Sequence, residues 1–307
     1  MFKSGFVAIL GRPNAGKSTL LNALVGRKVA IVSRRPQTTR NRIQGILNRD
    51  DAQIVLVDTP GIHKPATALG RQMMHEVGQA LDGIDVLCLI VDATERFGPA
   101  DRFALDIAKN FEGAAFLLLN KIDRIEKSKL LPIIDSYSQL HSFTEIIPLS
   151  ALTGNGLPIL ARKLVEHLPE GEPHFPPDQF TDQPERFLAA EIIREKVLNA
   201  TREEVPHAVA VLVDSFKETG KLIRISATIY VERDGQKGIV IGKGGQMLKT
   251  VGTAARKELE TILGATIFLE LFVKVQRNWR DNPRIVRQLD WHHQLEQLTG
   301  REGSGEE

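Results

Sequence analysis

Residues 11–19 read GRPNAGKST, and of all the features in the chain this one leaves the fold least freedom. Gly11, Gly16, Lys17 and Ser18 match the pattern G-x-x-x-x-G-K-[ST] in full. The apolar run FVAIL precedes the loop. After it Leu20, Leu21 and Leu24 fall at helical spacing, with Gly26 placed as a stop. Strand, glycine loop and helix in that order make a phosphate cradle, because N–H groups of the loop and of the helix N-terminus point at the same space. Gly11, Asn14, Ala15, Gly16, Lys17, Ser18 and Thr19 are therefore candidate nucleotide contacts. Lys17 suits the β- and γ-phosphate oxygens, and the Ser18 hydroxyl suits magnesium.

The runs FVAIL, QIVLVD, DVLCLIVD, AAFLLLN and EIIPLS alternate with longer helical patterns. Such alternation predicts an α/β domain over residues 1–168, a P-loop NTPase fold with a mainly parallel sheet covered by helices on both faces. Leu69, Met73, Val77 and Leu81 form one core-facing helical stripe, and Leu157, Leu160 and Leu164 another. The full 307 residues are enough for two domains. The net charge of +2 gives no general pull toward nucleic acid, so any basic surface must be local. The single cysteine, Cys88, lies inside an apolar run and reads as a buried small hydrophobe. MFKSGFVAILG reads as a strand rather than a secretory signal, and no apolar stretch approaches the ~20 residues a spanning helix needs.

Three further motifs follow in order at predicted strand ends. In DTPG, Asp58 can hold magnesium through water, and Thr59, Pro60 and Gly61 carry the chain past the γ-phosphate. In NKID, comprising Asn120, Lys121, Ile122 and Asp123, the Asp123 carboxylate offers two acceptors to the two N–H donors on one edge of guanine. Adenine lacks that donor pair, and unmade bonds to a buried charged group cost at least about 1–3 kcal/mol. In SAL, Ser150, Ala151 and Leu152 can add backbone N–H groups to the guanine oxygen.

Together these motifs resemble the GTP-binding domain of the translation-factor class of small GTPases, from Phe6 to about Leu168. The basic segment RRPQTTR resembles the switch of the Era and TrmE families, which makes Thr39, with Thr38 as the alternative, the sensor of magnesium and γ-phosphate. Ser18, Thr39 and Asp58 are then the metal set, and Lys17, Thr39 and Gly61 the catalytic set. Ile62 stands where Ras-like proteins place a water-orienting glutamine, so slow intrinsic hydrolysis is expected. No arginine finger can be chosen among Arg34, Arg35, Arg40 and Arg42.

Residues 169–184 are dense in proline and acids and read as a linker. At its end Asp182 can cap a helix, with Glu185 reaching back to it. In that helix Ala189, Ile193 and Val197 recur at i+4. The alternation of Ile223, Ile225, Ala227, Ile229 and Val231 marks a half-buried strand, and residues 266–275 alternate again. Between them lies GIVIGKGG. It fails the phosphate-loop pattern, because three residues rather than four separate Gly238 from Gly242, and Gly244 follows Lys243 where a hydroxyl is required. What remains is Gly242-Lys243-Gly244-Gly245, a G-x-x-G turn, in the order helix, strand, strand, glycine loop, helix, strand.

That order resembles an α+β type II K homology domain over residues 185–278, with residues 279–307 as a C-terminal tail. The resemblance implies that Gly242, Lys243, Gly244, Gly245 and Lys249 clamp about four nucleotides of single-stranded RNA. Lysines and arginines from Lys217 to Arg287 supply local positive charge. Trp279 and Trp291 can stack bases or pack the tail, packing being preferred, and His292-His293 has no ligand partners in the sequence around it.

The two halves in this order resemble the bacterial Era GTPases over nearly the whole chain. The resemblance implies GTP/GDP and magnesium as ligands, and the 3′ end of 16S ribosomal RNA in the small (30S) ribosomal subunit as partner. It further implies action as a cytoplasmic monomer, with peripheral contact at the inner face of the cell membrane. An RNA chaperone with a vestigial nucleotide domain is the first alternative, opposed by the complete set Lys17, Ser18, Asp58 and Asp123. A tRNA-modification GTPase like TrmE is the second, opposed by the lack of that family's C-terminal cysteine.

Overall fold

The computed structural model describes residues 1–203 and 205–290. Trp291 and the His292-His293 pair lie outside them. The chain divides into two compact units. The first comprises Met1–Val32, Pro36–Lys64 and Met73–Asp182, and the second comprises Ser33–Arg35, Pro65–Gln72 and the chain from Gln183 onward.

Elements run β1 (Lys3–Leu10), α1 (Lys17–Val25), β2 (Ile43–Asn48), β3 (Ala52–Asp58), α2 (Ala68–Gln79), β4 (Val86–Asp92), α3 (Pro99–Lys109), β5 (Ala114–Asn120), α4 (Leu130–Ser138), β6 (Glu145–Pro148) and α5 (Leu157–His167). The sheet order is β2-β3-β1-β4-β5-β6. All neighbours are parallel except β2, which runs antiparallel to β3. The central strands are buried along their length, which is why they appear in the sequence as unbroken apolar runs. One core packs α1 and α5 on one face of the sheet, and a second packs α3 and α4 on the other. Cys88 is buried in the first, where burial pushes its thiol far above its usual range. Gly26 ends α1 in the left-handed conformation, its N–H on the Asn22 carbonyl. The edge strand β2, IQGILN, is an element that the sequence reading lacks.

The segment read as a linker is not free chain. Residues 169–182 run along the first unit as an irregular strap. Ser4 N–H donates to the Pro169 carbonyl (3.1 Å), Ile46 N–H to Phe180 (2.9 Å), and the Thr181 hydroxyl to Gln44 (2.7 Å). The Gln53 side chain serves His174 and Phe175 as a backbone substitute, accepting from both N–H groups at 2.7 and 2.9 Å and donating at 2.8 Å. Bonds of this kind cover an edge that would otherwise present unpaired N–H and C=O groups. Asp182 Oδ1, at the end of the strap, accepts from Gln44 N–H (3.4 Å), and the next helix starts at Glu185 with Pro184 at its N-cap position.

The second unit runs α6 (Glu185–Ala200), α7 (Val205–Ala208), β7 (Ala210–Thr219), β8 (Leu222–Val231), α8 (Asp234–Ile241), α9 (Gln246–Leu263), β9 (Thr266–Val275) and α10 (Pro283–Gln288). Its sheet is β7-β8-β9, with β7 antiparallel and β9 parallel to β8. Ile223, Ile225, Ala227, Ile229 and Val231 are all buried, as the alternation predicts. A short helix that the sequence reading lacks, α8, precedes the glycine loop. Trp279 is wholly buried, and its Nε1 donates to the Ala208 carbonyl (2.7 Å), which is packing rather than a stacking platform.

Candidate functional site

In the first unit the motif residues gather at the C-terminal ends of β1, β3, β4 and β5, the edge at which parallel α/β sheets bind ligands. Register brings Ile9 beside Asp58, and Asp92 beside Asn120. Lys17 sits at the start of α1 with its ammonium over the loop, donating to the carbonyls of Gly11 (3.0 Å) and Arg12 (2.9 Å).

Three oxygens from distant parts of the chain converge next to it. Ser18 Oγ lies 2.6 Å from Asp58 Oδ2 and 2.8 Å from Thr39 Oγ1, and Thr39 Oγ1 donates to the same Asp58 oxygen at 3.2 Å. Of the two switch threonines it is Thr39 that enters this cluster. Asp58 is wholly buried, and its other oxygen, Oδ1, has no hydrogen-bond partner. A buried anionic oxygen left in this way fits a cation-binding set of two hydroxyls and one carboxylate. Burial pushes Asp58 up to about 6 against the opposing pull of Lys17 and the two hydroxyls, and burial brings Lys17 down to about 8. In the metal-free protein the raised Asp58 therefore lends stability that is complete below 3.8 and lost as pH rises through about 6.

The DTPG turn is fastened to the same loop. Thr59 Oγ1 donates to the Ile9 carbonyl (2.8 Å) and Ile62 N–H to that of Gly11 (3.2 Å). Gly61 lies so close to Pro13 that a Cβ would stand 2.8 Å from its Cα. The Ile62 side chain is wholly buried in the core beside Ala8 and Leu10, so no polar group at this position reaches the loop. His63 bridges the DTPG turn and the RRPQTTR segment, with Nδ1 against the Gly61 carbonyl (2.8 Å) and Nε2 against Gln37 Nε2 (3.2 Å).

The NKID residues divide their labour. Asn120 is internal scaffolding: its Nδ2 donates to the Ala15 carbonyl (2.8 Å) and its Oδ1 accepts from Ala151 N–H (2.9 Å). Lys121 has a left-handed backbone (φ 66°), which turns its ammonium back onto the Asn14 carbonyl (2.8 Å) and Asp92 Oδ2 (2.5 Å). Asp123 stands exposed in the following single turn, Ile122–Arg124. Of the SAL amides, Ser150 donates to the Asn155 carbonyl and Ala151 to Asn120, so these two hold the turn, while Leu152 is exposed. The sequence reading missed Asp92, because a lone aspartate at a strand end carries no spacing signal.

In the second unit Lys243, Gly244 and Lys249 are exposed, at the point where α8 ends and α9 begins. Gly242, Gly244 and Gly245 all have positive φ (72°, 59° and 79°). The turn thus offers bare backbone and the α9 N-terminus to solvent, a geometry that accepts a phosphate chain. Lys217, Lys221, Arg233, Lys257, Lys274, Arg277 and Arg284 are exposed as well. Arg256 and Arg280 are instead held by Glu260 and Glu232.

Comparison with known proteins agrees with this division. Residues 6–121 match the model of a family described as 50S ribosome-binding GTPase, and residues 204–280 match that of the KH domain. GTPase Era of Syntrophus aciditrophicus (strain SB) is 53% identical over 294 residues, covering 95% of this chain and 96% of its own. The crystal structure of a point variant of Aquifex aeolicus Era bound to GDP.AlF4- is 45% identical with a TM-score of 0.90, covering 94% of this chain and 99% of that one. A crystal structure of Era in complex with MgGDPNP and nucleotides 1506–1542 of 16S ribosomal RNA is 44% identical, also with a TM-score of 0.90, covering 95% and 99%. With both units matched in order, at this identity and over nearly the full length, the chain belongs to the Era family of GTPases.

Proposed function

We propose that this protein binds GTP with magnesium in its first unit and hydrolyses it slowly to GDP and phosphate. Through its second unit it binds single-stranded RNA at the 3′ end of 16S ribosomal RNA, in maturation of the small ribosomal subunit. The observation that carries the reading is the convergence of Ser18, Thr39 and the buried Asp58 beside Lys17. An Era relative crystallised with MgGDPNP and 16S RNA nucleotides supports it.

In this reading Ser18, Thr39 and Asp58 hold magnesium, which supplies charge neutralisation at the phosphates. Lys17 places a fixed positive charge over the phosphate loop, Gly61 brings bare backbone to its rim, and Asp123 reads the base. Thr39 reports which nucleotide is bound, because it joins the set only when the switch segment folds inward. A state-dependent grip on RNA then requires that GTP and GDP favour the two switch arrangements unequally. In this reading the protein acts as a monomer in the cytoplasm, with peripheral contact at the membrane. No helix of the described residues is long and apolar enough to cross a membrane.

Two measurements on the full chain test this. Single-turnover hydrolysis of preloaded GTP should run on the order of 10⁻⁴ s⁻¹, the range of an unassisted GTPase lacking a partner's arginine. Affinity for an RNA oligonucleotide of the 16S 3′ end should differ between the GTP-analogue, GDP and nucleotide-free states. A hydrolysis rate typical of an activated GTPase, or one RNA affinity in all three states, would refute the reading.

The raised Asp58 gives a pH signature of its own. Magnesium needs the ionised carboxylate, so proton and metal compete for it. The magnesium requirement for nucleotide retention should be flat above about pH 7 and rise about tenfold by pH 5, following the carboxylate at about 6. Titrating nucleotide release against magnesium at several pH values checks this, and Asp58→Asn should abolish the slope.

A further inference from the structure

Asp92 belongs to none of the motifs that mark the site, yet it is the carboxylate on which two of them meet. It ends β4 in register with Asn120 at the end of β5 and is 8% exposed. Both oxygens are engaged. Oδ1 accepts from Thr94 N–H (3.0 Å) and Thr94 Oγ1 (2.6 Å), which fixes the carboxylate plane from its own turn. Oδ2 takes the Lys121 ammonium at 2.5 Å, with an Arg12 guanidinium nitrogen at 3.9 Å. Arg12 itself lies in the phosphate loop, its other nitrogen 3.5 Å from Asp101. Burial would raise the Asp92 carboxyl, but the bonds from Lys121 and Thr94 outweigh it and hold the group below its usual range. It is thus a permanent anion near neutral pH.

The consequence lies in what Lys121 does with its remaining protons. The same ammonium donates to the Asn14 carbonyl at 2.8 Å, and Asn14, like Lys121, has left-handed backbone (φ 63° and 66°). A long lysine side chain has many rotamers, and reaching one carbonyl across a gap would cost most of what the bond returns. A buried, pre-oriented carboxylate on the far side removes that freedom. We propose that Asp92 is a positioning residue for nucleotide retention: it fixes the Lys121 ammonium across the Asn14 carbonyl and so locks the base-reading turn to the phosphate loop. A nucleotide spans both, so its escape requires the two to part, and the lock slows release of GTP and GDP alike. The inference rests on the GTPase reading above.

The experiment uses the full chain loaded with a fluorescent GDP, chased with excess unlabelled GDP. Asp92→Asn keeps the shape and an oxygen for Thr94 but removes the charge, and should speed release about tenfold. Lys121→Met should speed release at least as much, and the double variant should be no faster than Lys121→Met alone, because both remove one lock. A merely structural Asp92 would give effects that multiply. Multiplicative effects, or release from Asp92→Asn at the unaltered rate, would overturn the proposal. Should Asp92→Asn fail to fold, Lys121→Met tests the lock from its other end, and unaltered release from it is equally decisive against it. Failure of the unaltered chain to retain GDP at all would instead overturn the GTPase reading, and this inference with it.

Discussion

Replacing Asp123 by asparagine is expected to weaken GTP and GDP binding between about a hundredfold and ten-thousandfold, and to make xanthosine nucleotides the better ligands. The expectation follows from donor and acceptor counts. An ionised carboxylate presents two acceptors, and the edge of guanine it faces presents two N–H donors. Each bond to a charged group is worth about 1.5–3 kcal/mol. Asparagine loses one outright, weakens the other by removing the charge, and leaves a donor facing a donor at a further cost of about 1–3 kcal/mol, so the loss is about 3–6 kcal/mol in all. Asparagine keeps the size but turns one acceptor into a donor, which then meets a guanine donor. Xanthine has a carbonyl where guanine has its amino group, so the asparagine N–H finds an acceptor there. The exchange leaves the fold alone, since Asp123 is exposed in a single turn and Asn120 and Lys121 do the bracing. Competition binding with GDP and xanthosine diphosphate decides the matter, and retention of GDP affinity within about threefold would show that Asp123 does not read the base.

What could be read from the sequence, and what could not, follows from how each feature is stabilised. The central strands were legible because burial on both faces demands unbroken apolar runs. The phosphate loop and its companion motifs were legible because their function resides in backbone spacing. β2 was not, since an edge strand packs one face, and IQGILN is too short and mixed to show a period. α8 was not, because only Gln236 and Val240 of its eight residues are buried, and the β-branched IVI within it suggests a strand. In α6 the stripe Ala189, Ile193 and Val197 was correct but incomplete. Glu191, Arg194 and Glu195 are buried too, with Arg194 and Glu191 joined by two parallel bonds of 2.7 and 2.6 Å. Charged residues in a sequence read as a solvated face, and only three-dimensional pairing reverses that. The docking of residues 169–182 along the first unit was hidden for a related reason. Composition rules out a periodic element there, but it cannot reveal that Gln53 supplies the missing backbone partners. Asp92 was invisible because its partners lie 29 residues along at Lys121 and back in the phosphate loop at Arg12.

Gly244→Asp should reduce RNA affinity about a hundredfold or more while leaving GTP affinity unchanged. The choice of glycine matters. Gly242 has φ 72° and faces inward, so a Cβ there would meet Met247 Cβ at 2.6 Å and its backbone nitrogen at 2.9 Å, and substitution would disturb the start of α9. Gly244 is different: it is exposed, and a Cβ would find no atom within 4 Å. Its φ of 59° and ψ of 24° lie in the left-handed region, which aspartate tolerates better than most residues, at a cost of roughly 1–2 kcal/mol. The fold should therefore survive, and with it the nucleotide site in the other unit. The turn should not still hold RNA. A side chain holds the sugar-phosphate backbone away from the bare peptide, and a carboxylate placed against phosphate adds like-charge repulsion worth several kcal/mol. Anisotropy of a labelled 16S 3′-end oligonucleotide and retention of labelled GTP, measured on one preparation, separate the two sites. RNA affinity that survives the change would place the RNA elsewhere on the second unit. Loss of GTP affinity would mean that the G-x-x-G turn supports the nucleotide site, against the division of labour that its spacing and its missing hydroxyl require.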